Sequence, residues 1–216
     1  MTPSPRSARR QLRQAREDLA GIGYSDPTWR TASERVLAAE RSLAAARGEE
    51  YAEVIDLGVR WDVGAPLPHL IAGGLRAAII CRAAVHDPTW DGTWARMVSP
   101  SDTEEAELMR IDIAGYASVR IGSPNDEALH GHPLHGRGLV AYEAHEVRNS
   151  AWLEEHIRVN SVHSAHRDEP WRRLRHILLA FHDEMVEVLC REITARVVKG
   201  NLGDVASDAL KDVIGG

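Results

Sequence analysis

Nine of the eleven histidines lie between positions 130 and 182 of the 216-residue chain. His130, His132 and His135 share one short segment with Asp126 and Glu127, and His145-Glu146, His163 and His166 follow. Zinc takes neutral imidazoles and carboxylates, and a catalytic site holds it through three protein ligands with one position open. On that chemistry His130, His132 and His135 are candidate ligands of a zinc or iron ion. An extended His-x-His puts two rings on one side of the chain, and a turn can bring His132 and His135 together. The spacing matches no standard zinc pattern such as His-Glu-x-x-His on a helix, so the segment also reads as a solvated loop.

A metal-free reading starts further along. Ile177, Leu179 and Phe181 alternate with other residues, and so do Val186, Val188 and Cys190. Folding the chain at Asp183-Glu184 sets Phe181 opposite Val186 and makes these six one apolar, core-facing side of a β-hairpin. The other side carries His176, His182, Glu187 and Arg191. Glu187 then faces Ala180, in diagonal reach of His182, where a carboxylate can orient an imidazole for general acid–base work. Asp126 is a second candidate carboxylate and Arg137 a candidate anion clamp, with His69 and His132 beside them. The candidate catalytic set is His182, Glu187, Asp126 and Arg137. The same residues also suit plainer roles: a satisfied polar pair on a sheet face, and an Asn125-Asp126 turn after Pro124. His176 and His182 stand about 20 Å apart on a straight strand, too far to share one metal. Gly136-Arg137-Gly138 lacks the context of a phosphate loop. A continuous buried helix is the competing assignment for 176–198.

These side chains need elements to hold them. Leu12, Ala15, Leu19 and Ile22 recur at helical spacing, and Gly21 and Gly23 end that helix. Asp26-Pro27 supplies an N-cap and a first-turn proline. Trp29, Ala32, Val36, Ala39 and Leu43 then form a seam that ends at Gly48. Two antiparallel helices are expected over 1–48, either packed on their own body or serving as a dimerisation or partner-binding arm through residues 7–47. The remainder, 49–216, reads as a second unit. Val54–Trp61 and Leu75–Val85 lean to β, and the prolines at 66 and 68 impose a loop between them. A turn is expected over 87–92, a strand over 94–99, and a hairpin of Ile111 and Ile113 against Ala117, Val119 and Ile121 around Ala114-Gly115. Residues 123–138 have no periodicity, and so long a loop within a compact domain is often functional. Asn149 or Ser150 caps a helix bearing Trp152 and Ile157. Leu202, Val205, Ala209 and Val213 mark a last amphipathic helix. Trp61, Trp90, Trp94, Trp152 and Trp171 are expected to fill core or line a pocket. The fold class is α+β: a mainly antiparallel sheet with helices on one side, preceded by the helical hairpin.

Composition sets the outer bounds. Hydrophobic residues make up 44% and charged residues 27%, which excludes disordered and disulfide-scaffold classes. Residues 1–47 carry +4 and the rest −10, out of the net −6. So acidic a body disfavours nucleic acid. No apolar run is long enough to span a membrane, and no apolar stretch follows the early arginines as a signal peptide requires. Cys81 and Cys190 sit in apolar surroundings without a Cys-x-x-Cys spacing, which points to reduced thiols and a cytoplasmic location.

Five segments together resemble a group of bacterial proteins to which no activity is assigned. They are Gly64-Ala65-Pro66-Leu67-Pro68-His69, Pro124-Asn125-Asp126-Glu127, Gly131-His132-Pro133-Leu134, Glu146-Val147-Arg148-Asn149-Ser150-Ala151-Trp152 and Phe181-His182-Asp183. The resemblance spans roughly residues 60–190, leaves out the N-terminal hairpin, and implies a cytoplasmic bacterial protein. It brings no catalytic residue with it. The residues themselves suggest a small enzyme with a His/carboxylate-lined pocket, with or without metal, acting by hydrolysis or proton transfer on a small polar substrate. The alternative is a non-catalytic acidic binding protein, such as an immunity-type inhibitor or a complex subunit. Convergence of His69, Asp126, His132, His182 and Glu187 in one pocket would favour the enzyme.

Overall fold

The computed structural model describes residues 3–85 and 98–215. The expected turn over 87–92, most of the expected strand over 94–99, and Trp90 and Trp94 lie outside those residues. Helix α1 (Pro5–Ala20) is capped by the Ser4 hydroxyl, which accepts the Ser7 amide. Helix α2 (Trp29–Arg47) ends at Gly48 in the left-handed region, where a side chain would be strained. Asp26 closes the turn before α2 rather than capping it, its carboxylate taking the Thr28 amide and hydroxyl. Ala8, Leu12 and Leu43 bury the seam between the two helices.

The α+β class holds, with two antiparallel sheets where one was expected. The first has strand order β1 (Tyr51–Val54), β6 (Ala144–Arg148), β7 (Arg175–Ala180), β8 (Met185–Cys190) and β5 (Ser118–Gly122). The second runs β2 (His69–Gly73), β3 (Arg76–Arg82), β4 (Ala106–Ala114) and β9 (Glu192–Gly200). Between them lies the main core, which joins Ile79, Cys81, Met109 and Ile111 of one sheet to Ile177, Leu179, Val186 and Val188 of the other. Phe181 and Trp61 close it with ring centroids 4.6 Å apart.

The expected hairpin of residues 111–113 with 117–121 does not form. β4 pairs with β9, and β5 pairs with β8. The two chain segments therefore make one bent ribbon that passes from sheet to sheet, which is how strands turn sandwich corners. The corner is Gly115 (φ 62°), whose position is hemmed by the Arg191 side chain. A residue meant for a hairpin turn serves here as a hinge between layers.

Both outer faces are covered, one by a helix and the other by a loop. Helix α5 (Leu202–Gly215) sets Ala209 and Val213 on Ala78, Ile80 and Leu108 of the second sheet. Leu134 and Leu139, from the long loop after β5, cover Leu178, Ala180 and Met185 of the first. Strands β7 and β8 are thus buried on both faces, which explains their nearly unbroken apolar sequence. The helical hairpin joins this body through Arg41, which donates to the carbonyls of Ala52 (2.8 Å) and Gly138 (3.3 Å). Among the described residues no helix is long and apolar enough to cross a membrane.

Candidate active site

The β7–β8 hairpin exists, and its apolar face is the one the alternation indicates. Its register differs from the expected one by two residues. Ala180 faces Met185, Leu178 faces Glu187, and the tight loop is His182-Asp183. A two-residue step keeps every side chain on its face but changes its neighbours. Glu187 now has His176, not His182, on its diagonal. His176 Nε2 lies 2.8 Å from Glu187 Oε2, with both side chains buried.

A polar chain runs outward from that contact. Ser150 caps helix α3 (Ala151–Asn160), its hydroxyl oxygen accepting the Leu153 amide at 3.0 Å. The same hydroxyl meets His176 Nδ1 at 2.8 Å. Hydrogen bonding is complete if Ser150 donates to Nδ1 and the ring donates through Nε2 to the carboxylate. On the far side Arg120 of β5 faces Glu187 across the ladder and reaches Oε1 with Nε (2.8 Å) and Nη2 (2.7 Å). The guanidinium rests 4.5 Å above the Trp152 ring, and that ring stands edge-on to His176 at 5.1 Å. Burial alone would raise the Glu187 carboxyl, but the hydrogen bonds of His176 and Arg120 overcome it and hold the group at about 2. Glu187 is therefore a fixed anion.

Glu187 and Arg120 form one wall of a cleft of about 610 Å³, and His132 forms another. Pro133 fixes the chain after His132, and the Leu134 amide donates back to His132 Nδ1 at 3.2 Å. The ring proton must then sit on Nε2, which has no protein partner among the described residues. Burial lowers the His132 pKa, with Glu187 opposing and Arg120 reinforcing. His132 is thus a neutral imidazole offering an N–H, not a base. Together the three groups present a fixed carboxylate, a guanidinium and a neutral donor, which can orient a polar reactant and stabilise a developing oxyanion.

The other candidate residues go elsewhere. His182 and Asp126 are together, at the hairpin loop rather than in the cleft. His182 Nε2 is 3.8 Å from Asp126 Oδ2, and its Nδ1 is 2.9 Å from Asp183. Asp126 also accepts the Tyr142 hydroxyl and bonds through its amide to the His182 carbonyl. That hydroxyl bond lowers the Asp126 carboxyl and pushes Tyr142 up to about 12. The hydrogen bond to Asp183 raises the His182 ring. This cluster pins the start of the 123–138 loop to the hairpin. Arg137 is no anion clamp in the cleft; it pairs with Glu49 at 3.6 Å, and its carbonyl accepts the Ala52 amide. His69 turns back to the Leu67 carbonyl at 2.8 Å.

The proposed metal triad does not assemble either. His130 is exposed with Nδ1 at the Glu127 carbonyl, His135 is exposed, and only His132 enters the cleft. Among the described residues no group of three or more His, Cys, Asp or Glu side chains is placed to hold a metal ion. One turn explains this. The chain coils as a 3-10 turn at Leu129–Gly131 instead of extending, so His130 and His132 do not share a side.

Arg120, His176, Ser150 and Trp152 belong to the candidate site, and the spacing did not reveal them there. Arg120 could have been found from the β5–β8 pairing, and His176 from a hairpin loop one residue earlier. The Pro-Asn-Asp-Glu and Gly-His-Pro-Leu segments each contribute to the cleft, through Pro124 and His132. Ser150 and Trp152 of a third segment stand behind it. Compared with models of known families, with curated proteins and with solved structures, the chain matches none.

Proposed function

We propose that the protein is a small enzyme that holds a polar substrate in the His132–Arg120–Glu187 cleft and acts on it by hydrolysis or proton transfer. The observation that carries this reading is the meeting of Glu187 and His132, distant in sequence, across one cleft in complementary states. Glu187, ionised and gripped at both oxygens, orients a water or a substrate N–H and receives at Oε2 the proton released from it. His132 Nε2–H and the free N–H groups of Arg120 face the charge that develops on the substrate oxygen. Buried free thiols at Cys81 and Cys190 suit a reducing compartment. The test is turnover of a panel of small amides and esters by the wild type and by His132→Phe, which fills the same space without an N–H. Loss of one such donor is expected to lower kcat/KM by about a hundredfold or more. Turnover that is equal in the variant would refute the assignment.

A second reading is a non-catalytic acidic binding protein of the immunity type. It draws on the wide exposure of Leu75 (72%) and Ile214 (76%), which border one shared surface on a body of net negative charge. A stable complex with a basic partner, unaffected by His132→Phe, would favour it.

A further inference from the structure

Resting on that reading of the cleft, we propose that its ligand is a small uncharged molecule presenting an amide-type edge, an N–H beside a C=O, next to an apolar portion. The class follows from what the walls leave unsatisfied. Arg120 spends Nε and one Nη2 hydrogen on Glu187 and keeps its other N–H groups. His132 keeps Nε2–H. These two donors require an acceptor. Glu187 Oε1 takes both Arg120 bonds, whereas Oε2 has His176 alone and retains a lone pair, which requires a donor. Carboxamides, ureides and the edges of nucleobases present both together.

Charge excludes the simpler alternatives. The Glu187 and Arg120 charges cancel inside the cleft, and His132 adds none. A carboxylate ligand would set a second anion beside Glu187, and an ammonium a second cation beside Arg120. Either would leave an uncompensated charge partly removed from water, which is costly. The apolar portion has its own complement in Ile121, Pro124, Pro133 and Met185, which line the same cleft.

Three probes of one shape separate the classes. Wild-type protein with isotope-labelled histidine rings and methionine methyls is titrated with benzamide, benzoate and benzylammonium and followed by NMR. Benzamide is expected to move the His132 and Met185 signals at millimolar concentration and to bind about tenfold or more tightly than either ion. Equal or tighter binding of benzoate or benzylammonium would overturn the uncharged class while leaving the cleft a binding site. If none of the three moves those signals, the cleft reading falls along with the class.

Discussion

His145 makes acid stability a test of the packing over the first sheet. Its ring is fully buried on β6, Nε2 accepts the Val140 amide at 3.2 Å, and Nδ1 makes no well-formed hydrogen bond among the described residues, with the Leu178 and Glu143 backbone only weakly engaged. Burial, helped by Arg41, lowers its pKa to about 4 from the ordinary 6.5. The folded protein therefore refuses a proton that the unfolded chain accepts, and stability falls as the pH drops from 6.5 towards 4. With those two values the loss between pH 7 and pH 5 is about 2 kcal/mol. Below pH 4 both states carry the proton, and this contribution levels off. His145→Gln keeps an acceptor for Val140 and removes the titration. Urea unfolding of both proteins at pH 7 and pH 5, analysed with a common slope, isolates the difference. The wild type should lose about 2 kcal/mol more than the variant over that interval. Equal losses would mean that His145 is hydrated or charged in the native state, and the burial argument would fail.

Two further perturbations probe how the site is held. Gly138 (φ 92°) packs so closely that a Cβ would lie 2.4 Å from the Ala52 carbonyl and 2.7 Å from Arg41. Gly138→Ala should cost roughly 3 kcal/mol or more, because the obstacle is backbone, and should loosen the helical hairpin first; thermal unfolding and limited proteolysis at residues 48–52 would show this, and an unchanged Tm would contradict it. Ser150→Ala removes both the α3 cap and the partner of His176 Nδ1, at a cost of about 2 kcal/mol in stability; if the Trp152 fluorescence and the melting point both stay put, the proposed chain from α3 to Glu187 is not structural.

Legibility followed periodicity. The helical hairpin, α5 and the apolar face of β7–β8 were readable because each rests on a repeat of 3.6 or 2 that burial enforces. Register and partner choice were not. Shifting the β7–β8 register by two residues exposes no apolar group, so nothing in the alternation distinguishes His182 from His176 as the neighbour of Glu187. The Ala114-Gly115 break had the same ambiguity. A glycine with positive φ suits a hairpin turn and a sandwich corner equally, and only the pairing of β4 with β9 decides between them. The density of histidines misled in another way. It suggested one metal site, whereas the structure spends these side chains separately: His145 in packing, His176 behind Glu187, His132 in the cleft, His182 at a loop. Residue type counted correctly, but convergence depends on long-range strand order, which spacing does not encode.

The two polar clusters of the first sheet differ in a way that bears on where chemistry belongs. His182 and Asp126 are the more familiar pair, yet His182 sits on an exposed hairpin loop with a competing carboxylate at Asp183. An imidazole there is oriented by whichever acid it meets and is screened by water. Glu187 is fixed by partners on two adjoining strands, β7 and β5, and by a helix cap behind them. Its geometry is set when the sheet forms. Such preorganisation is what makes fixed charges effective towards a transition state. The bent ribbon that joins the two sheets is what brings Arg120 beside Glu187, so the corner at Gly115 and the electrostatics of the cleft have one origin. A change that relaxed the corner would separate the ion pair without touching either residue.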